Sequence, residues 1–219
     1  MKTLYVLITL SFFTAAYANN AQAEVADWEN SACPVAKTQG ENNQAVYFFQ
    51  HTFGDGTRDL AMVKTHAGEA LDIKRVTYAG KKTPACQYKA LAITSGGNWG
   101  WHLAWIDADV VYYVRMDGEA WVSSPAKKFS HQKSQADRPA VLSLGDKVWL
   151  VWRETKAKNN SIKNYIVGLS SQDGGKTWDD VKVLATSLGE NVYPQLRAEN
   201  NQAYLVVKAE KESLQVIPL

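Results

Sequence analysis

The sequence predicts an all-β fold, and within that class a small β-propeller of about four blades. Residues 34–49, 88–105, 139–152 and 194–207 share one grammar. Each is a short apolar strand, then a turn rich in Gly, Asn or Asp, then a longer aromatic and β-branched strand, which is how hairpins are written. Val46, Leu103, Val148 and Tyr204 hold roughly equivalent places, spaced by 57, 45 and 56 residues. A four-stranded propeller blade needs roughly 40–50 residues. Helical periodicity is nearly absent, whereas Val110-Val111-Tyr112-Tyr113-Val114 and Val148-Trp149-Leu150-Val151-Trp152 carry the strand signature.

Taken from the start, Met1-Lys2 leads into an apolar run over 4–13 and then small residues ending in Ala21-Gln22-Ala23. This pattern predicts a secretory leader over 1–23, cleaved after Ala23 or alternatively after Ala18, and so a secreted or periplasmic protein. The run is too short to cross a bilayer and no later segment is long and apolar enough, so no membrane insertion is expected. Residues 24–219 then make one domain, a normal size for an all-β core. The full chain has 24 basic and 22 acidic residues with its lysines scattered, so no basic field exists to attract nucleic acid.

Cys33 and Cys86 open the first strands of the first two repeats, as Ala32-Cys33-Pro34 beside Ala85-Cys86-Gln87. In an oxidising compartment a Cys33–Cys86 disulfide is the preferred reading, closing a loop of about 53 residues. A redox pair is the alternative, without the close spacing such sites use. The fourth repeat ends after an apparent third strand over 213–217. Closing the ring would need a borrowed strand, for which residues 25–29 are the spare material, and an open edge would invite another chain.

Residues 171–178 read Ser-Gln-Asp-Gly-Gly-Lys-Thr-Trp. Gly174 and Gly175 permit the positive φ of a tight turn, Asp173 can fold its carboxylate onto loop N–H groups, Thr177 is placed to begin the outgoing strand, and Trp178 can anchor between sheets. The segment matches Ser-x-Asp-x-Gly-x-Thr-Trp and so resembles the Asp-box, or BNR repeat, of the sialidase (neuraminidase) superfamily, with Ser171, Asp173, Gly175, Thr177 and Trp178 at the defined positions. In that family the box turns between the third and fourth strands of a blade, away from the catalytic centre. Degenerate copies stand at 63–71, where Gly68 survives and His66 and Leu71 replace the aspartate and tryptophan, and at 117–121, which keeps Asp117, Gly118 and Trp121.

The resemblance also implies a site. Sialidases hold the substrate carboxylate with three arginines, and use a tyrosine nucleophile with a glutamate and an aspartate as acid/base. Arginine suits the carboxylate through its planar fork. Arg138 opens the third repeat and Arg197 lies in the first strand of the fourth. However, these enzymes have six blades, the family's first arginine motif is only echoed by Asp137-Arg138-Pro139, and no nucleophile can be assigned. The second candidate is aromatic: Trp99, Trp101 and Trp105 follow a glycine-rich turn and share one strand face. Trp105, Trp149, Trp152 and Trp178 are read as core, whereas Trp99 and Trp101 are candidates for a binding platform. The four histidines show no metal-ligand spacing, and the acidic turns 54–56 and 107–109 lack a full calcium loop, so no metal or cofactor is expected.

The expectation is an exported sialidase-like propeller acting as a non-catalytic module that binds a glycan or a protein, with candidate residues Trp99, Trp101, Arg138 and Arg197. The alternatives are a minimal exo-sialidase-type glycoside hydrolase, and a half-propeller that completes its ring as a homodimer.

Overall fold

A computed structural model describes residues 31–40, 44–66, 69–82, 85–97, 100–120, 122–129, 134–158, 161–187, 192–209 and 214–219. The leader at 1–23, the spare strand at 25–29, Gly68, Trp99 and Trp121 lie outside the described residues. The strands fall into four antiparallel sheets, each meandering outward in sequence order. The first holds β1 (Ala36–Gln39), β2 (Ala45–Thr52), β3 (Arg58–His66) and β4 (Glu69–Arg75). The second holds β5 (Leu91–Gly96), β6 (Gly100–Asp107), β7 (Val110–Met116) and β8 (Lys127–Phe129). The third holds β9 (Gln135–Leu144), β10 (Lys147–Lys158), β11 (Ser161–Ser171) and β12 (Lys182–Ser187). The fourth has three described strands, β13 (Val192–Glu199), β14 (Gln202–Ala209) and β15 (Gln215–Pro218). These are the four repeats expected, each opened by its hairpin.

Turn chemistry explains the tight hairpins. Ala108 and Asp109 between β6 and β7, and Asn200 and Asn201 between β13 and β14, all take positive φ, the pattern of a two-residue turn whose twist suits the strands. Alternation then decides what each blade buries. On β6, Trp101, Leu103 and Trp105 join Val46, Phe48, Leu60 and Met62 of the first sheet in one core. The intervening Ala104 and Ile106 join Val148, Leu150 and Trp152 of β10 in the next. Val151 and Ile166 face Val192, Leu205 and Val207 across the third gap. A sheet apolar on both faces must be sandwiched, and stacking four such sheets face to face makes the blades of a propeller.

The first strands pack in the order β1, β5, β9, β13. Among the described residues no comparable packing returns from β13 to β1. Cys33 and Cys86 are bonded, with Cα atoms 5.4 Å apart, and tie the segments leading into β1 and β5. No helix among the described residues is long and apolar enough to cross a membrane.

The turn over 171–178 lies between β11 and β12 and is hydrogen-bonded through its own side chains. Ser171 Oγ accepts from Gly175 N–H at 2.9 Å, Asp173 Oδ1 accepts from Thr177 N–H at 2.8 Å, and Asp173 Oδ2 accepts from the Thr177 hydroxyl at 2.7 Å. Those bonds to Thr177 hold the Asp173 carboxyl well below the usual carboxylate range. Thr177 does not begin a strand as expected, because its N–H and hydroxyl are both held by Asp173, and β12 starts only at Lys182. Trp178 packs edge-on against Tyr113 at 4.8 Å and Phe129 at 5.4 Å, bridging the second and third blades. The equivalent turn after β7 has Asp117 Oδ2 accepting from Val122 N–H at 3.1 Å.

Candidate functional site

The candidate site begins with an irregularity in β9. In the β9–β10 ladder Ala140 pairs with Val151 and Asp137 with Arg153, so Arg138 and Pro139 together face Trp152 alone. This is a β-bulge, and its cause is legible: proline has no N–H to donate, so the ladder skips it. Within the bulge Arg138 takes φ +51°, a left-handed conformation uncommon for a non-glycine residue. A bulge re-aims the side chain it carries, and here the Arg138 guanidinium lies 3.9 Å from the Tyr193 ring centroid on β13. Its Nε–H is buried with no hydrogen-bond partner among the described residues. An unpaired buried donor on a permanent cation is costly, and an anionic oxygen would relieve that cost.

On the adjoining stretches of β9 and β10 the acidic groups are already engaged. Arg153 grips Asp137, with Nε donating to Oδ1 at 2.7 Å and Nη2 donating to Oδ2. Glu154 is 1% exposed and accepts from the Trp152 indole N–H at 3.0 Å and the Ser134 hydroxyl at 2.7 Å. Among the described residues Arg138 thus keeps an unpaired donor while Arg153 beside it is paired. Arg197 is exposed on β13, with Nη2 3.5 Å from Gln195 Oε1. It is four residues beyond Tyr193, about 13 Å along the strand, so the two candidate arginines flank Tyr193 at different depths.

The expected aromatic platform is different in the structure. Trp101 is 5% exposed, donates its indole N–H to Gly118 O at 3.2 Å, and sits in the core between the first two blades. It offers no open face, because strand alternation puts it with Leu103 and Trp105 on the buried side. Trp105 and Trp152 are core as expected, and Trp178 is partly buried against the second core. Trp149 is a correction: it is only half-buried and belongs to none of the cores, and it lines an open cleft together with the β13–β14 turn.

Two further residues were missed by sequence reasoning. Tyr193 gives no sequence signal beyond lying on the first strand of the fourth repeat. His102 gives no sequence signal beyond lacking metal-ligand spacing; it is fully buried, its Nδ1 sharing a 2.6 Å hydrogen bond with the Tyr113 hydroxyl. Burial pushes its pKa down to about 4, and burial pushes the Tyr113 hydroxyl up. Arg115 donates to Gly174 O at 3.1 Å, so this pair and the 171–178 turn form one assembly between two blades.

No family model and no curated protein sequence matches the chain. Among solved structures, a protein of unknown function from Dyadobacter fermentans is similar over 82% of this chain and 50% of its own, at 13% identity and a TM-score of 0.50. The likeness is one of fold. An endo-arabinase from Bacteroides thetaiotaomicron is similar at 10% identity over 84% of this chain and 73% of its own, with a TM-score of 0.46. A subtype N10 neuraminidase-like protein of an influenza virus from the little yellow-shouldered bat gives 10%, 84%, 57% and 0.45. The chain spans half the length of the Dyadobacter protein.

Proposed function

We propose that this chain is an exported, non-catalytic propeller that binds an acidic glycan where the first strands of the third and fourth blades meet. One observation carries the reading: the Arg138 guanidinium, presented by a bulge and braced on Tyr193, has a buried donor without a partner. A carboxylate-bearing sugar supplies the missing acceptor, and its ring has the Tyr193 surface to lie beside. The engagement of Asp137 by Arg153 and of Glu154 by Trp152 and Ser134 supports binding without hydrolysis, because each carboxylate would have to give up those partners to act as acid or base. Reading 171–178 as an Asp-box of the sialidase repeat is supported by its self-satisfied Ser171–Asp173–Thr177 bonding. The Cys33–Cys86 bond supports export to an oxidising compartment.

The test is calorimetric titration with 3′-sialyllactose and with lactose. The expected result is affinity for the charged sugar only, lowered about tenfold or more in Arg138→Gln. Equal affinity for both sugars, or release of free sialic acid that depends on Arg138, overturns the reading. A second reading has its own observation. β15 carries no further strand among the described residues, and Val216 on it and Leu214 just before it are exposed, which favours a second copy completing the ring. Native mass spectrometry showing only monomer at micromolar concentration removes it.

A further inference from the structure

An open cleft lies at the other end of the third and fourth blades. β9 runs from the Arg138 bulge toward Leu144, six residues and about 20 Å further on. There the β9–β10 turn, the β13–β14 turn and Gln172 of the β11–β12 turn surround an open cleft of about 660 Å³. Strand alternation explains the cleft. Val148, Leu150 and Trp152 point to the second blade, while Trp149 and Val151 point to the fourth. Val151 meets a packed core, but Trp149 lies one step nearer the hairpin ends, where the two sheets no longer fill the gap.

The lining has a definite chemistry. The Trp149 indole N–H and the side-chain amides of Gln172, Asn200 and Asn201 make no hydrogen bond with any described residue, and all four line one cleft. Asn200 and Asn201 are fixed by a two-residue turn with φ +49° and +60°, so their amides stand on rigid backbone. The formal charges of Asp146 and Lys147 offset one another.

We infer that this cleft binds a neutral saccharide chain. A flat, half-buried indole takes the C–H face of a pyranose or furanose ring, and carboxamides, which both donate and accept, match ring hydroxyls. The balanced charge gives a phosphate or a nucleic acid no electrostatic purchase. The volume falls within the roughly 300–1,000 Å³ of ligand sites, and the open ends suit an internal stretch of a polysaccharide. The inference stands apart from the acidic-sugar site, since the two share no residue.

The test uses the whole protein labelled with ¹⁵N-tryptophan, titrated with cellohexaose, xylohexaose, maltohexaose and α-1,5-arabinohexaose. The expected result is a saturable shift of the Trp149 indole N–H with at least one of them. By calorimetry, Trp149→Ala lowers that affinity about tenfold and Asn200→Ala about threefold, whereas Trp149→Phe, which keeps an aromatic face, stays within about threefold. Arg138→Gln leaves it unchanged, which separates this site from the one under Proposed function. No shift with any of the four sugars, or an affinity unaltered in a folded Trp149→Ala protein, overturns the inference. So does a shift produced only by a neutral extended peptide.

Discussion

Gly175→Ala is the substitution through which the packing of the 171–178 turn can be measured. Gly175 sits at φ +82°, where an L side chain costs about 1 kcal/mol. A Cβ there would also come 1.9 Å from the Tyr113 hydroxyl oxygen and 2.8 Å from the ring carbon bearing it. Tyr113 cannot simply retreat, being fully buried with its edge against Trp178 at 4.8 Å. Moving it breaks the hydrogen bond to His102 and leaves Nδ1 buried without a partner, a further cost of about 1–3 kcal/mol, with overpacking strain of similar size. The expected destabilisation is therefore about 3–7 kcal/mol in urea unfolding followed by tryptophan fluorescence. Gly56→Ala is the control, because Gly56 has nearly the same φ, +75°, and nothing within 4 Å of its would-be Cβ. It should cost about 1 kcal/mol. Adding Tyr113→Phe should recover part of the Gly175→Ala loss, since the closest contact is removed. If Gly175→Ala costs no more than Gly56→Ala, the close seating of the turn against the second blade is wrong.

Three other outcomes follow from the geometry. His102 has its folded pKa lowered to about 4 from an ordinary 6.5, so the unfolded chain takes up the proton first. Stability should be full above about pH 6.5 and fall by about 3 kcal/mol as the pH drops to about 4, and His102→Gln should flatten that slope in pH-dependent melting. Replacing both Cys33 and Cys86 by serine should lower stability by about 4 kcal/mol on the chain-entropy account, and mass spectrometry of unreduced peptides should show the two linked in the native protein. Asp173→Ala should speed hydrogen exchange at the Thr177 amide, which loses its 2.8 Å acceptor, while leaving the β9–β10 ladder amides protected.

The architecture was legible because alternation and turn composition are local properties. Asn200-Asn201 announces its hairpin, and the aromatic and β-branched runs over 46–49, 101–106 and 148–152 announce blades buried on both faces. Strand limits were less so, and proline shows why. Pro139 and Pro194 read as strand openers, yet β9 begins at Gln135 and Pro194 pairs with Val207 inside β13. Both lie on edge strands of their sheets, where Pro194 keeps its register opposite Val207 and Pro139 is absorbed by the bulge. The candidate site was half legible. Arg138 could be singled out as an arginine beside a proline, but its left-handed backbone and its seat on Tyr193 depend on a strand over fifty residues away. Trp101 and Trp149 were exchanged for a related reason: alternation tells which face a ring occupies, and only the neighbouring blade's length decides whether that face is covered.

The most direct measurement of the central claim follows arginine side chains during a titration. In protein labelled with ¹⁵N-arginine, 3′-sialyllactose should move the Arg138 Nε–H resonance downfield in a saturable way. The Arg153 resonance, already committed to Asp137, should barely change, and the trisaccharide should be recovered intact. An Arg138 signal that stays fixed at saturating sugar, or the appearance of free sialic acid as it moves, would contradict the account.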